Sequence, residues 1–143
     1  MLKLQIEEKE ILANLIAVFN LVEKELYDLV DELGLNYLEF SILVYISNND
    51  ATQYKISKRF RISIQRAYQI VKKLLKKDYI EAKIEKTNGR ASKSLFTNLK
   101  SEKKIEEVNN EIINKFTKKK IDSQNLEDFN SLIKKFIVQL ESN

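Results

Sequence analysis

The chain has 143 residues, enough for one compact domain with helical extensions, and at 43% hydrophobic content it can form a core. It has no cysteine, no histidine, no proline and only two glycines, Gly34 and Gly89. Thiol redox chemistry, disulfides, thiolate metal sites and histidine general-base catalysis are thereby excluded, and long helices with few turns are favoured. The net charge of +4 is unevenly spread: residues 52–100 hold fourteen Lys/Arg against three acids, a net +11, and the rest holds eleven against eighteen, a net −7. A basic centre between acidic flanks is the footprint of a polyanion-binding module joined to something else.

The amino-terminal run 1–9 is charged too early and too often for a signal peptide. No apolar run approaches the roughly 18 residues that span a bilayer, so a cytoplasmic protein with no membrane contact is expected. Residues 3–33 read as one long helix, with Ile11, Leu15, Val18, Val22, Leu29 and Leu33 at three-to-four spacing and Leu12, Ile16, Phe19, Leu26 and Val30 in an adjoining line. A stripe this wide calls for burial against both its own subunit and a partner. Gly34 supplies the stop. Asn36 and Glu39 form a capping box for a second helix, whose core set is Leu38, Phe40, Ile42, Leu43 and Ile46. It ends in the polar turn Ser47-Asn48-Asn49-Asp50.

Thr52 caps a third helix over 53–60, and Ser63 caps a fourth that runs to about Lys77. The fourth turns Ala67, Ile70, Val71 and Leu74 inward, with Ile64 read as local core. It turns Gln65, Arg66, Tyr68, Gln69, Lys72, Lys73 and Lys76 outward, a face of donors with no acid. An ordinary surface helix mixes in glutamates for i,i+4 pairs. From Tyr79 the period changes to two. Residues 79–85 and 93–99 read as strands, and the connection 86–92 contains Asn88-Gly89, the strongest short hairpin signal. Two amphipathic helices follow. One runs from about Glu102 to Lys119; the other is capped by Asp122, with Ile121 and Leu126 placed as a hydrophobic staple.

The expected fold class is mainly α: a winged helix-turn-helix with a two-stranded β-hairpin wing, flanked by a long N-terminal helix and two C-terminal helices. The expected organisation is a dimerisation helix at 1–34, a winged module at 35–100 and C-terminal dimerisation helices at 101–143. A helix of this kind fits the major groove of double-stranded DNA and its donors reach base edges. Gln65, Arg66 and Gln69 suit base edges, and Tyr68 a thymine methyl or a phosphate. Ser63, Lys55, Arg61, Lys72, Lys73, Lys86 and Lys93, with Lys58 and Lys83, suit the backbone, and Arg90 on the hairpin suits a minor groove. No glycine-rich phosphate loop, nucleophile elbow or metal-ligand spacing is present, so no enzyme, cofactor or metal is expected.

The stretch from Leu35 to about Leu99 resembles the MarR family of bacterial transcriptional regulators, including the SarA-like staphylococcal proteins. Leu35 through Leu43 matches the start of that family's second helix. Thr52–Phe60, with Ile56-Ser57, resembles its third, and Ile62-Ser63 through Lys77 its recognition helix. Asn88-Gly89-Arg90 falls at its wing tip. Two positions depart from the pattern: Asn88 stands where the family often has aspartate, and Asp78 where it usually has glycine. The resemblance implies a triangular homodimer, held by the first helix and the last two, that binds a pseudo-palindromic operator with half-sites about 10 bp apart. It also allows a small-molecule effector between the dimer helices and the winged module. Two other readings remain: a winged-helix protein-interaction module, and a ligand-blind architectural DNA-binding protein. The acid-free, lysine-rich helix face argues against the first.

Overall fold

The computed structural model describes residues 2–142; the ends of the outer expected segments, Met1 and Asn143, and the side chains of 1–9 and of Thr87 lie outside the described residues. The order is α1 (Leu2–Asp31), α2 (Tyr37–Asn48), α3 (Gln53–Phe60), α4 (Ile64–Lys76), β1 (Ile80–Thr87), β2 (Arg90–Thr97), α5 (Leu99–Lys118) and α6 (Ser123–Glu141). This is the winged-helix fold expected from the sequence: mainly helical, with one two-stranded antiparallel hairpin among the described residues. The chain divides into two compact units, 1–108 and 109–143.

In the first unit, α1 ends where Gly34 takes a left-handed φ of +71°, a conformation that costs glycine nothing. The C-terminal part of α1 joins the core through Val30, with Leu26 and Leu29 packed against it, whereas Ile11 to Leu21 is exposed in the single chain. The capping box forms as read. The Asn36 side chain accepts from the Glu39 N–H at 2.8 Å, and the Glu39 carboxylate accepts from the Asn36 N–H at 2.8 Å. Ile42, Leu43 and Ile46 of α2, Ile56 of α3, and Ala67, Ile70, Val71 and Leu74 of α4 meet in one core with Tyr79, Ile80 and Leu95 of the hairpin region. The hairpin is anchored at its base by the Leu95 N–H, which donates to the Ala51 carbonyl at 2.9 Å.

The hairpin corrects the expected 86–92 loop. Pairing runs to Thr87↔Arg90, so the turn is Asn88-Gly89 alone. Both residues have left-handed φ, 56° and 76°, the pairing of a tight primed turn whose twist matches the strands and lets the ladder continue to the tip. The second strand also ends earlier than expected, at Thr97. Asn98 is taken by the next helix: its side-chain oxygen accepts from the Ser101 N–H at 2.9 Å, and Ser101 Oγ accepts from the Asn98 N–H at 3.1 Å. α5 therefore starts at Leu99 rather than near Glu102.

Asp78, standing where glycine is usual in the resembled family, has φ 59°. The left-handed position explains that preference, since a side chain there costs roughly 1 kcal/mol. The turn is braced: Asn98 Nδ2 donates to the Asp78 carbonyl at 2.8 Å, Lys100 Nζ to the Lys77 carbonyl at 3.0 Å, and the Lys100 ammonium lies 4.9 Å from the Tyr79 ring centroid.

Glu102 ties three elements together. Its Oε1 accepts from Thr97 Oγ1 and from Ser47 Oγ, the latter at 2.7 Å. The Thr97 bond first, and then the Ser47 bond, hold its carboxyl below the usual carboxylate range. A depressed folded-state pKa contributes stability that is present above the unfolded value, about 4.3, and is lost as pH falls through the folded value. The stability gap between the wild type and Glu102→Gln, followed by urea denaturation, should be full at pH 6–7 and shrink below about pH 4. A gap unchanged at pH 3 would contradict this.

In the second unit, Ile112 and Phe116 of α5 are half-buried. Asp122 caps α6 as expected, its carboxylate accepting from the Gln124 N–H at 3.0 Å. No residue of α6 is buried: Phe129, Leu132, Ile133, Phe136, Ile137 and Leu140 are all exposed in the single chain.

Candidate nucleic-acid interface

The turn between α3 and α4 is built around Ser57. Its hydroxyl donates to the Ile62 carbonyl at 2.8 Å, and its own carbonyl accepts from the Ile62 N–H at 3.1 Å and from the Arg61 N–H. Arg61, at the end of α3, is forced into the left-handed region with φ 53°, and its side chain is exposed. Gln53 Nε2 reaches across to the Ile64 carbonyl at 3.2 Å. The Ser63 hydroxyl is the N-cap of α4, accepting from the Arg66 N–H at 3.0 Å. That leaves its O–H proton free to donate outward.

At 100° per residue, the buried line Ala67, Ile70, Val71 and Leu74 fixes the opposite face of α4 as Gln65, Gln69, Lys72 and Lys76, all exposed. Tyr68 and Ile64 lie on one flank, Arg66 and Lys73 on the other. α4 thus carries the expected reading set, and Lys73 on it is drawn to another element. Its ammonium is 2.9 Å from Oε1 of Glu39, whose side chain is only 7% exposed. Lys73 ties α4 to the cap of α2. The pairing was not legible in the sequence, because the two residues are 34 positions apart.

Lys55 sits beside Asp50, its ammonium 3.2 Å from the backbone carbonyl and 3.5 Å from the carboxylate. Lys58 lies 5.5 Å from the Tyr54 ring centroid, and Lys83 lies 5.0 Å from that of Phe96. In the wing, strand alternation separates the expected cations. Lys86 and Lys93 share one face, with pairs Lys86↔Ala91 and Ile84↔Lys93. Arg90, the first residue after the turn, is on the other face. All three are exposed.

Two residues of this surface escaped sequence reading. Tyr54 is exposed on α3, and Ile64, expected as local core, is 56% exposed at the start of α4. The signal lay in the capping pattern: with Ser63 as N-cap, the inward staple positions are Ile62 and Ala67, so Ile64 is left over. Among the described residues no group of three or more acids could hold a metal ion, and no helix is long and apolar enough to cross a membrane.

The MarR family model matches residues 33–91. Sequence comparison with curated proteins finds no match. Among solved structures, a transcriptional regulator from Thermotoga maritima superposes with TM-score 0.72 at 20% identity, covering 94% of this chain and 99% of that one. The Staphylococcus aureus MarR in complex with salicylate and kanamycin superposes with TM-score 0.70 at 19% identity, covering 98% and 97%. A mutant of S. aureus MepR bound to an oligodeoxyribonucleotide gives 0.61 at 14% identity, covering 90% and 97%. Residues 33–91 match the MarR family model, and the chain has the fold of the MarR-family regulators on which it superposes.

Proposed function

We propose that the protein is a cytoplasmic, homodimeric regulator of transcription that binds a pseudo-palindromic double-stranded DNA operator. The observation that carries this reading is the acid-free outward face of α4, Gln65, Gln69, Lys72 and Lys76, followed in the chain by a hairpin with Lys86, Arg90 and Lys93 exposed at its tip. In this reading α4 enters the major groove, where the amides of Gln65 and Gln69 and the guanidinium of Arg66 pair with base edges. Lys55, Arg61, Lys72 and Ser63 contact phosphates on either side. Arg90 enters the adjacent minor groove, drawn by its negative potential. Dimer contacts come from segments 1–34 and 101–143, with the winged module at 35–100. The DNA-bound relative and the salicylate-bound relative support, for this chain, a DNA partner and a small-molecule effector. An open cavity of about 310 Å³ lined by Tyr27, Asp31, Tyr37, Glu39 and Lys73 would seat the effector beside the recognition helix.

Fluorescence anisotropy across a salt series tests the reading. About 8 phosphate contacts per dimer give a log–log slope near −7, so affinity falls by about 10⁴ between 50 and 200 mM salt. Arg90→Ala should flatten the slope by about 2 per dimer. A flat salt response in the wild type overturns DNA binding. Equal affinity for every duplex turns the protein into an architectural binder, and an unchanged slope in Arg90→Ala removes the wing contact.

A further inference from the structure

Resting on the DNA-binding reading, we propose that Ile64 and Tyr68 form an apolar edge on α4 that reads the 5-methyl groups of thymine in the major groove. Ile64 is 56% exposed and Tyr68 51% exposed, and they stand one turn apart on the same flank of the helix. Neither is needed by the core. The inward positions of the first turn are filled by Ile62 and Ala67, and those of the helix body by Ile70, Val71 and Leu74. An exposed β-branched residue in the first turn of a helix lowers helix propensity and leaves apolar surface in water, so the fold gains nothing from it.

The location supplies the use. The N-terminal residues of a groove-binding helix are those that reach base edges. The strip beside Ile64 and Tyr68 carries Gln65 and Gln69, whose amides match the N6 and N7 groups of adenine. The thymine paired with that adenine presents its methyl group on the same groove edge. An amide strip and an apolar strip side by side therefore recognise the two halves of one A·T pair. The stiff χ1 of isoleucine holds the methyl-reading surface in place at little entropic cost.

The test uses the full-length protein and its preferred duplex, selected from a random pool. Each thymine is replaced singly, in both half-sites, by deoxyuridine, which removes only the methyl group. Burying one methyl is worth about 0.8 kcal/mol, so wild-type affinity should fall about fourfold per contacted thymine and roughly fifteenfold for the symmetric pair, at one or two positions per half-site. Ile64→Ala and Tyr68→Ala should bind the thymine and uracil duplexes alike at the position each one reads. Ile64→Val, which preserves shape and helix stability, should retain part of the discrimination. A wild-type scan that is flat at every thymine, or discrimination that survives in both alanine variants, overturns the proposal while leaving DNA binding intact. Absence of salt-dependent binding to any duplex overturns both.

Discussion

Glu39→Ala is expected to lower stability by about 2–3 kcal/mol, which for a chain of this size lowers Tm by about 8 °C in a thermal melt. Glu39 Oε1 accepts from the Asn36 N–H at 2.8 Å and from Lys73 Nζ at 2.9 Å, in a side chain that is nearly buried. Its loss removes the reciprocal half of the α2 capping box, leaving Asn36 accepting from the residue-39 N–H, and releases α4 from its tie. Lys73→Ala leaves the carboxylate buried with only the Asn36 N–H, which costs about 1–3 kcal/mol. Because its ammonium is already engaged, Lys73→Ala should leave the salt slope of DNA binding nearly unchanged, whereas Lys72→Ala should flatten it by about 2 per dimer. Equal slopes for the two variants would show that Lys73 leaves Glu39 for a phosphate.

Paired substitution of Phe19→Glu and Leu132→Glu is expected to convert the proposed dimer to monomers and to weaken binding to the proposed operator at least about a hundredfold, since two linked half-site contacts become independent. Phe19 is 69% exposed in the single chain and Leu132 50%. Each lies on a helix whose apolar face meets no core of its own there: Ile11 to Leu21 in α1, and the whole of α6. Apolar surface on this scale marks an interface, and placing a carboxylate in it carries a desolvation cost that exposed positions do not impose. Light scattering reads the mass, and far-UV circular dichroism should show the helices retained. A variant that stays dimeric, or a wild type that is monomeric, would remove these faces from the assembly.

Local rules made most of the fold legible. The caps at Asn36, Thr52, Ser63 and Asp122 were readable because a capping side chain needs only the amides two or three residues ahead. The buried line of α4 was readable because helical period alone sorts its residues into two faces. The elements of the candidate site were legible to the same degree: α4 and the hairpin were placed, and so was the charge they carry. The misreadings arose where neighbours compete. Asn98 had strand neighbours before it but a helix to cap after it, and the helix took it. Lys86 looked like a loop cation until the Asn88-Gly89 turn proved tight enough to carry the ladder past it.

By itself the sequence determined the order of helices and hairpin, the caps, the +11 centre and the absence of thiol and imidazole chemistry, because each depends on residue type and spacing within a turn or two. Only the tertiary structure decided that Lys73 belongs to Glu39, that Ile64 faces outward, that Arg90 stands on the opposite wing face from Lys86 and Lys93, and that Asp78 must be left-handed. These depend on packing between elements distant in the chain and on the register of paired strands, which spacing along a single element does not encode.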